Sequence, residues 1–514
     1  MVDPLPRPRR LPSRTLRELV SSRSDLRLPA GADGTVAVSG ISLDSRTVRP
    51  GDLYLARAGA VSHGIDHTAQ ALAAGAVAIL TDPVAAAAVA GDVDVPVLVT
   101  DDPRAAAGPV AAWIYGDPGA AMLTLGITGT NGKTTTAWYA DAGLRAAGRR
   151  TGLIGTVSTV IDGEAIASVR TTPESTDLQA LFAVMRERGV DAVTMEVSSH
   201  ALALGRVSGA RFDVAGFTNL SQDHLDFHGD LESYFATKAE LFTPAYSDTA
   251  IVTVDDEWGR RLAAQTSIPV TTLSGSPDVA ADWSWEPVAG GLRLFGAGTG
   301  LDLRVALPGR FNLANAALAA LLLRTAGIPD DAIAGGIGGL RVVPGRMQPV
   351  AAGQDFAVIV DYAHTPDAVS RIVAEARDLA APGGRVWIVI GSGGDRDPGK
   401  RPVMGRAAAA ADRVIVTDDN PRSEDPAAIR AAVLAGARAA GAGQAEEIGD
   451  RRAAIGAALQ GAGAGDVVLI AGKGHEATQD VGGVITAFDD AAVAEELLLA
   501  RDQAAGPVSG GARP

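Results

Sequence analysis

Lysine occurs at only four positions in this chain of 514 residues, and each position lies in or directly after a segment rich in glycine or histidine. All other basic side chains are arginines, and a lysine ammonium differs from them as a compact point charge whose pKa responds to burial. We therefore hypothesise that lysine is kept where chemistry requires it. The lysines are Lys133, Lys238, Lys400 and Lys473. Five histidines share the same segments, and they are His200, His224, His228, His364 and His475.

The first of these segments, residues 123–136, reads as a strand, a glycine-rich loop and a helix. Gly129 and Gly132 let backbone N–H groups approach an anion closely, and the N-terminus of the following helix adds positive charge at the same point. Lys133 can reach the β- and γ-phosphates of a nucleotide, and Thr134 can bind Mg²⁺. The segment predicts a site for a nucleoside triphosphate; an empty structural turn is the alternative.

Carboxylates and histidines follow the next predicted strands. Glu196 stands at the end of one strand, and the loop at 219–228 holds two histidines and two aspartates. Glu196 and His224 could bind or orient a second Mg²⁺, because oxygen ligands suit this ion. Histidine is an unusual ligand for Mg²⁺, so ordinary hydrogen-bonded loop residues are the alternative.

Lys238 interrupts the apolar stripe of a predicted helix. Asp230 can cap this helix, which covers residues 231–242, and its apolar positions recur with helical spacing except at Lys238. A buried ammonium must extend to solvent, pair with an anion, lose its proton or be modified. The pattern leaves two interpretations open: a structural lysine that reaches solvent, or a functional lysine beside the loop at 219–228.

Four polar segments follow four further predicted strands in the C-terminal third. They cover residues 361–367, 391–401, 418–422 and 471–476. One such segment could be turn chemistry, but four at equivalent ends of one sheet should converge on one site. Arg396 and Arg422 suit a carboxylate or a phosphate, and Glu476 suits an ammonium, so the pocket fits a zwitterionic amino acid.

The elements that must position these residues form a repeating pattern. Short β-branched runs followed by alanine-rich stretches predict parallel sheets covered by helices, with ligands at the carboxyl ends of the strands. The predicted strands are Val77–Leu80, Val97–Val99, Leu123–Ile127, Ala192–Met195, Val214–Phe217, Ile251–Val254, Val358–Val360, Val386–Ile390, Val414–Val416 and Val467–Ala471. The length predicts about three domains. Turn-forming segments at 116–119 and 341–346 place them at 1–119, 120–345 and 346–514, with residues 1–13 as a disordered tail.

Composition excludes several classes of function. The net charge of −15 makes nucleic acid a poor partner, because an acidic chain repels phosphate. The chain has no cysteine, which excludes disulfides, thiolate zinc sites and cysteine nucleophiles. No apolar run reaches about 18 residues, and the arginine- and proline-rich start lacks the apolar core of a secretory signal. We therefore expect neither membrane insertion nor secretion.

Together these motifs resemble those of the Mur ligase family, from about Ser42 to Glu476. The resemblance rests on SLDSR (42–46), PGDLY (50–54), TGTNGKTTT (128–136), TTPES (171–175), MEVSSHAL (195–202), FTNLSQDHLDFHG (217–229), DYAHTPD (361–367), GSGGDRDPGKRP (391–402), DDNPR (418–422) and GKGHE (472–476). Within the family, the chain is most similar to the ligases that add meso-diaminopimelate to UDP-N-acetylmuramoyl-L-alanyl-D-glutamate.

The resemblance implies an α/β fold of three domains: a smaller N-terminal α/β domain for the UDP-sugar, a central P-loop ATPase with a mostly parallel sheet, and a C-terminal Rossmann-like domain for the amino acid. It implies a cytoplasmic, monomeric enzyme of peptidoglycan precursor synthesis, with ATP, UDP-N-acetylmuramoyl-L-alanyl-D-glutamate and meso-diaminopimelate as substrates and Mg²⁺ as cofactor. It also implies a reaction through an acyl phosphate, which would need no nucleophile from the protein.

The resemblance also implies roles for individual residues. Those that bind ATP are Gly129, Thr130, Asn131, Gly132, Lys133, Thr134, Thr135, Asp361 and His364. Those that bind the UDP-muramoyl-dipeptide are Leu43, Ser45, Thr171, Thr172, Ser198 and Arg206. Those that bind diaminopimelate are Arg396, Asp419, Asn420, Pro421, Arg422, Gly472 and Glu476. The metal site would contain Thr134, Glu196, His224 and Lys238, and the catalytic residues would be Lys133, Lys238, Glu196 and His224. Lys238 matches the family position that carries a carbamylated lysine (N6-carboxylysine).

The chain departs from the family pattern at two places. Residues 60–62 replace a family segment that often contacts uridine or the sugar, and Leu204 stands where a glutamine can occur. Alternative functions are a lysine-adding or folylpolyglutamate-type ligase, a P-loop ATPase without ligation, and a non-catalytic binding module. The DDNPR segment and the full first domain argue against the lysine-adding and folylpolyglutamate-type ligases, and the density of ionisable residues at strand ends argues against the binding module. A P-loop ATPase without ligation stays open, and it would release ADP without the UDP-peptide and the amino acid.

Overall fold

A computed structural model describes residues 5–10, 12–59, 61–166 and 170–505 of the chain. By its internal contacts the chain divides into two compact units. The first comprises residues 1–220, 229–304 and 314–339, and the second comprises residues 221–228, 305–313 and 340–514. The predicted N-terminal and central domains both fall in the first unit, each with a sheet of its own, and the C-terminal domain falls in the second.

The N-terminal domain is built on a small parallel sheet. Its elements are β1 (Arg14–Thr15), α1 (Leu16–Ser22), β2 (Ala37–Val38), β3 (Gly40–Ser42), β4 (Asp52–Leu55), a 3₁₀ turn (Gly64–His67), α2 (Thr68–Ala73), β5 (Ala78–Thr81), α3 (Pro83–Ala88), β6 (Val97–Val99), α4 (Pro103–Tyr115) and a second 3₁₀ turn (Pro118–Ala121). Strands β3, β4, β5 and β6 pair in that order and in parallel. Leu53 and Leu98 from the sheet and Leu16 and Val110 from the helices share one buried core.

The central domain is built on an eleven-stranded sheet. Its elements are β7 (Leu123–Thr128), α5 (Lys133–Ala146), β8 (Thr151–Ile154), β9 (Thr159–Ile161), β10 (Glu164–Ile166), α6 (Ser175–Glu187), β11 (Ala192–Glu196), α7 (Ser199–Ala203), β12 (Phe212–Phe217), α8 (Leu225–His228), α9 (Leu231–Ala239), a 3₁₀ turn (Glu240–Phe242), β13 (Ser247–Thr253), α10 (Glu257–Gln265), β14 (Val270–Ser274), β15 (Trp283–Val288), β16 (Gly291–Gly296), β17 (Thr299–Arg304), α11 (Arg310–Thr325) and α12 (Asp330–Gly339). Among these, α8 and the first residues of α11 belong to the second unit.

The strand order in this sheet is β10-β9-β8-β11-β7-β12-β13-β14-β15-β16-β17. The strands from β8 to β15 in that order are parallel, and antiparallel strands extend the sheet at both edges. Strand β7 lies between β11 and β12. The connections that leave the carboxyl ends of these neighbouring strands run in different directions, which opens a crevice beside the end of β7. Such a point is where α/β sheets bind ligands.

The C-terminal domain is built on a six-stranded sheet. Its elements are β18 (Gln348–Pro349), β19 (Ala357–Asp361), α13 (Pro366–Leu379), β20 (Val386–Ile390), α14 (Lys400–Ala408), β21 (Arg413–Val416), α15 (Pro426–Ala439), β22 (Glu446–Glu447), α16 (Arg451–Gly461), β23 (Val467–Ala471), β24 (Thr478–Val481), β25 (Val484–Ala487) and α17 (Asp490–Ala505). The sheet order is β18-β19-β23-β20-β21-β22, and β24 and β25 form a separate hairpin.

Register brings the ends of four parallel strands in this sheet to one level. Asp361 pairs with Ala471, Ala471 pairs with Ile390, and Ile390 pairs with Val416. Strands β20 and β23 are buried at every position, as expected for central parallel strands covered on both faces. The polar segments that follow these strands therefore start at the same edge.

The predictions about individual elements are confirmed. Each of the ten predicted strands overlaps a strand of the structure. The predicted helix at 231–242 is α9 followed by the 3₁₀ turn, and the Asp230 carboxylate caps it by accepting a hydrogen bond from the Ser233 N–H. Among the described residues, no helix combines the length and the apolar character that a membrane span requires.

Part of the segment that we expected to be disordered is bonded to the rest of the first unit. The Arg7 guanidinium donates two hydrogen bonds to the Asp52 carboxylate, at 2.9 and 2.8 Å. Both side chains are buried, with 10% and 4% of their surface exposed. The backbone N–H groups of Arg9 and Arg10 donate to the carboxylate of Glu187. Residues 1–4 and 11 of this segment, and Ala60, lie outside the described residues.

We predict that Arg7→Ala lowers the free energy of unfolding of the first unit by about 3 kcal/mol, because it leaves the buried Asp52 carboxylate without its cation. Burial already raises the pKa of Asp52, against the effect of Arg7. The control is Arg9→Ala, which keeps the backbone hydrogen bond and should cost less than about 0.5 kcal/mol. Urea denaturation of both variants measures the difference, and equal stability would show that the segment is not anchored through Arg7.

Candidate functional site

The loop between β7 and α5 packs closely against the residues that follow β12. Gly129 has φ of +142°, and a Cβ atom there would lie 1.9 Å from the Thr218 hydroxyl oxygen. The Thr130 N–H donates to the Asn219 carbonyl oxygen at 2.8 Å. Asn131 and Asn219 exchange two further hydrogen bonds, both of 3.1 Å. Only glycine at position 129 allows this approach. The binding of phosphate by the loop stays a prediction.

Two lysine side chains converge on this loop. Lys133 Nζ donates to the carbonyl oxygens of Gly129 and Thr130, at 3.0 and 2.8 Å. Lys238 Nζ donates to the same Gly129 oxygen at 2.7 Å and lies 4.6 Å from the centre of the Tyr234 ring. Lys238 is 1% exposed, so it does not extend to solvent, and its hydrogen bond lies in the loop between β7 and α5. A functional role beside the loop at 219–228 stays a prediction. Two ammonium groups on one carbonyl make a strongly positive place, which suits an anion.

Glu196 supplies a buried carboxylate beside the start of α5. Its side chain accepts hydrogen bonds from the Thr134 hydroxyl at 2.9 Å, the Thr156 N–H at 2.7 Å and the Thr156 hydroxyl at 3.0 Å. Glu196 is 1% exposed, and none of the ion pairs found among the described residues includes it. Because a buried carboxylate normally needs a cation, this arrangement fits a bound metal.

The oxygen atoms of Glu196 and Thr134 suit Mg²⁺ in particular. Mg²⁺ commonly binds one or two carboxylates together with phosphate and water, rather than a cage made wholly of protein. The described residues contain no cluster of three or more acidic or histidine side chains that could hold a metal alone. His224 lies in the second unit, with φ of +53° and its Nε2 atom 3.4 Å from Asp223. Its role as a metal ligand stays a prediction.

Thr156 is a residue that the sequence analysis missed. It lies just beyond the carboxyl end of β8, so the rule that located the other strand-end motifs could also have located it.

Thr172 and Ser198, which we predicted to bind the muramoyl-dipeptide, are hydrogen-bonded beside Glu196. The Thr172 hydroxyl donates to the Glu196 backbone oxygen at 2.9 Å and accepts from the Ser198 N–H at 3.2 Å. The Thr171 hydroxyl lies 3.0 Å from that of Thr156.

A cluster of arginines surrounds one carboxylate near these residues. Arg206, Arg57 and Arg170 lie 2.8, 3.6 and 3.8 Å from the Glu174 carboxylate. Burial, and then repulsion by Arg104, lowers the pKa of Arg57. Three cations on one anion leave net positive charge, which suits an anionic ligand. Only Arg206 was predicted, since contacts between residues so distant in sequence have no local signal.

Leu43 and Ser45 follow the carboxyl end of β3 in the N-terminal sheet. Leu43 is half-buried, and Ser45 is 6% exposed. The Ser45 hydroxyl donates to the side-chain oxygen of Gln70 at 2.8 Å. Their predicted contact with the uridine part of a ligand stays a prediction, as do the contacts at residues 60–62 and Leu204.

In the second unit, Asp361 and His364 follow β19. The Asp361 carboxylate accepts hydrogen bonds from the N–H groups of Met347 and Ala363, at 2.7 and 2.8 Å, and burial raises its pKa despite these bonds and Arg346. His364 Nδ1 lies 2.8 Å from the Tyr362 carbonyl oxygen, which fixes the proton on Nδ1. Burial lowers the pKa of His364, so the ring is neutral at pH 7 with Nε2 as an acceptor.

The predicted amino-acid pocket lies at the same edge of the C-terminal sheet. Arg422 has φ of +52° and donates from Nη1 to the Gly394 carbonyl oxygen at 2.6 Å. Asn420 Nδ2 donates to Glu476 Oε2 at 2.7 Å. Gly472 has φ of +110°, and a Cβ atom there would lie 2.5 Å from the Asp419 carboxylate. A non-glycine residue with positive φ, such as Arg422, is typical of a functional site.

Arg396 and Pro421 complete the predicted set. Arg396 is exposed on the loop after β20, whereas Pro421 is buried between Asn420 and Arg422. The structure thus gathers cationic, anionic and amide side chains at one sheet edge, as the four strand-end motifs predicted. Such a pocket can bind an amino acid through both its charged groups.

Three domain families match the chain. The "Mur ligase family, catalytic domain" matches residues 37–112, the "Mur ligase middle domain" matches residues 127–323, and the "Mur ligase, glutamate ligase domain" matches residues 345–474.

Relatives of the same length are similar over almost the whole chain. The UDP-N-acetylmuramoyl-L-alanyl-D-glutamate–2,6-diaminopimelate ligase of Streptomyces coelicolor is 50% identical, over 96% of this chain and 98% of its own. The ligase of the same name from Corynebacterium glutamicum is 46% identical, over 91% of this chain and 94% of its own.

Solved structures share the fold. One titled UDP-N-acetylmuramoyl-L-alanyl-D-glutamate–2,6-diaminopimelate ligase has a TM-score of 0.66 and 30% identity, over 96% of this chain and 100% of its own. Folylpolyglutamate synthase of Mycobacterium tuberculosis, complexed with ADP and AMPPCP, has a TM-score of 0.57 and 21% identity, over 72% of this chain and 92% of its own. The latter likeness concerns the fold alone.

We predict that Mg²⁺ stabilises the protein through Glu196 when a non-hydrolysable nucleoside triphosphate is bound. The stabilisation should be about 1.4 to 2.7 kcal/mol at free Mg²⁺ of about 10 to 100 times Kd, and it should be largely lost in Glu196→Gln. Thermal unfolding with and without EDTA measures it. The control Glu286→Gln, at an exposed carboxylate, should behave as the unchanged protein, and an equal Mg²⁺ effect in all three proteins would contradict a site at Glu196.

Proposed function

The chain belongs to the Mur ligase family, and we propose that it joins the γ-carboxylate of D-glutamate in UDP-N-acetylmuramoyl-L-alanyl-D-glutamate to an amine of meso-2,6-diaminopimelate, at the expense of ATP. The observation that carries this proposal is the 50% identity, over 96% of the chain, to a ligase named for that reaction. We further propose that the enzyme acts as a monomer in the cytoplasm, since its three substrates are small molecules and one chain supplies every proposed site residue.

The first step activates the acid. The γ-carboxylate attacks the γ-phosphorus of ATP, and the bond to the β-phosphate oxygen breaks to give an acyl phosphate and ADP. The N–H groups at the start of α5, residues 132–135, and the Lys133 side chain would hold the phosphates, and their positive charge would stabilise the charge that spreads over the transferred group. Thr134 and Glu196 would hold Mg²⁺, which supplies further neutralisation of phosphate charge.

The muramoyl-dipeptide needs an anchor for its acidic groups beside this loop. Thr171, Thr172 and Ser198 lie next to Glu196, and the cluster of Arg57, Arg170 and Arg206 around Glu174 provides the excess of positive charge. The γ-carboxylate and the γ-phosphate of ATP are both anions and repel each other. Nearby positive charge reduces this repulsion and allows the carboxylate to attack in the correct orientation.

In the second step the amine attacks the acyl carbon, and phosphate leaves from the tetrahedral intermediate. The amine loses its proton, and neither bond formation requires a covalent group of the protein. We propose that Arg422 binds the carboxylate and Glu476 the ammonium at the end of diaminopimelate that does not react. L-Lysine lacks that carboxylate, so it would leave the arginine without its partner.

Lys238 is proposed to carry a carbamate, formed when its neutral amine attacks carbon dioxide and releases a proton. The support is its burial beside Lys133: both ammonium groups bond the Gly129 carbonyl, and a carbamate would replace like-charge repulsion by attraction. The anion would also lie beside the phosphate loop, where it could orient the cation that binds ATP.

We predict that amide formation depends on all three substrates and that diaminopimelate is used at least about 100-fold better than L-lysine, as a site built around a charged group rejects an analogue lacking it. Mass spectrometry of the product and phosphate release measure both values of kcat/KM. Arg422→Ala should reduce the ratio of the two kcat/KM values, because it lowers kcat/KM for diaminopimelate. Phosphate release independent of the dipeptide and amine would instead favour an ATPase without ligation, and equal use of both amines would contradict the assignment of Arg422.

We predict that Lys238→Ala reduces kcat by at least about 100-fold and that small carboxylates such as acetate partly restore it, because they replace the carbamate anion. The matched control is Lys133→Ala, which should be equally inactive but not restored, since it lacks a cation rather than an anion. Full activity of Lys238→Ala, or equal rescue of both variants, would contradict a carbamate at Lys238.

A further inference from the structure

Lys473 is a fully buried ammonium for which the reaction described above has no use. It is 0% exposed and stands two residues beyond the carboxyl end of β23, in the segment that also supplies Gly472 and Glu476. Taking the charge of a lysine out of water is costly, so the partners of a buried lysine must compensate for its burial. Its contacts therefore indicate what it does.

Three oxygen atoms surround Lys473 Nζ, two as hydrogen-bond acceptors and one as an ion-pair partner. The Thr478 carbonyl oxygen accepts at 2.6 Å and Asn420 Oδ1 at 3.2 Å, while Glu476 Oε2 lies at the ion-pair distance of 3.5 Å. An ammonium so surrounded has one orientation. It therefore connects three separate pieces of backbone: the DDNPR loop, its own segment and the start of the β24–β25 hairpin.

This connection fixes the amide of Asn420. Its Oδ1 atom accepts from Lys473 and also from the Asp480 N–H at 3.0 Å, so the Nδ2 side must face Glu476 Oε2, to which it donates at 2.7 Å. With two donors on Oδ1, a rotated amide would place its NH₂ group against them. Lys473 and the Asp480 N–H together determine which end of the Asn420 side chain meets the carboxylate.

The carboxylate of Glu476 is held on one side only. Oε2 faces Asn420 Nδ2 and Lys473 Nζ, and among the described residues no hydrogen bond to Oε1 is found. The Glu476 side chain is 32% exposed, whereas Lys473 is 0% exposed, so a ligand can reach the carboxylate but not the lysine. Oε1 is left for a donor from outside the protein.

The strand end beneath this group is itself rigid. Arg451 and Asp490 form an ion pair with neither side chain exposed, and Arg451 also donates to the Ala471 carbonyl oxygen at 2.9 Å and to that of Asp418 at 3.3 Å. Both carbonyls belong to residues just before the segments that carry Lys473 and Asn420. The buried ion pair therefore fixes the backbone on which the Lys473 network is built.

From this geometry we infer that Lys473 is a positioning residue for amine recognition: it orients Asn420 and Glu476 so that one carboxylate oxygen is directed to the ammonium of the incoming amino acid. The inference rests on the proposed function, since it names how the diaminopimelate pocket selects its ligand. Lys473 contacts no substrate in this role and acts through the two side chains that it holds.

The test is Lys473→Met, which keeps the length of the side chain and removes its charge and donors. The KM for diaminopimelate should rise by about 10- to 100-fold, the range expected for lost hydrogen bonds to a charged group, while the KM values for ATP and the UDP-dipeptide stay within about twofold. Lys473→Gln retains one amide donor and should give an intermediate KM, and it also serves if the methionine variant does not fold.

Two controls separate positioning from loss of stability. Val468→Ala, at a fully buried position of the same strand outside the network, should lower Tm without changing the KM for diaminopimelate. In a Glu476→Gln background, Lys473→Met should add less than about twofold to the KM, because a residue that acts through Glu476 has little left to orient.

Several outcomes would overturn the inference. An unchanged KM for diaminopimelate in Lys473→Met would do so, as would a lower KM, which would mean that Lys473 merely repels the incoming ammonium. An equal rise of the KM values for all three substrates, or full additivity of Lys473→Met with Glu476→Gln, would also contradict it. Failure of the proposed function is distinguishable from all of these, because the unsubstituted enzyme would then form no amide with diaminopimelate at all.

Discussion

The carbonyl oxygen of Gly129 accepts hydrogen bonds from two lysine side chains, and the first unit is organised around that point. Lys133 reaches it from the start of α5 and Lys238 from the buried face of α9. The approach requires a residue without Cβ at position 129 and a strand, β12, whose following residues close over the loop. Two ammonium groups that share one acceptor repel each other, and an anion bound in the loop would offset that repulsion.

A second constraint, strand register, organises the C-terminal domain. Asp361, Ile390, Val416 and Ala471 end four parallel strands at one level, so every following segment begins at the same edge. The buried pair of Arg451 and Asp490 then fixes the backbone at two of these ends. One hydrogen-bonded group thereby forms at this edge from side chains that are distant in sequence. It contains arginine, asparagine, lysine and glutamate.

The sequence predicted those parts of the fold that depend on local pattern. Buried runs such as Val386–Ile390 are apolar throughout, and a glycine-rich loop between a strand and a helix has few other uses. The last two strands of the central sheet, β16 and the edge strand β17, were missed, because half of their residues are exposed. The pair of Arg7 and Asp52 and the arginines around Glu174 also gave no signal, since they join residues far apart in sequence. Lys238 belongs to both cases. Its position in an apolar stripe indicated from the sequence alone that it was unusual, whereas its contact with the Gly129 carbonyl oxygen depends on the folded structure.

The scarcity of lysine has a practical consequence. None of the four lysines is exposed, and Lys238 and Lys473 are essentially inaccessible. Amine-directed dyes, cross-linkers and coupling resins therefore have no inert lysine on the surface to modify, and whatever side-chain amines they do reach belong to the working loops. Because the native chain has no cysteine, a single cysteine introduced on an exposed helix would give a unique attachment point for fluorescence or immobilisation that leaves those loops untouched.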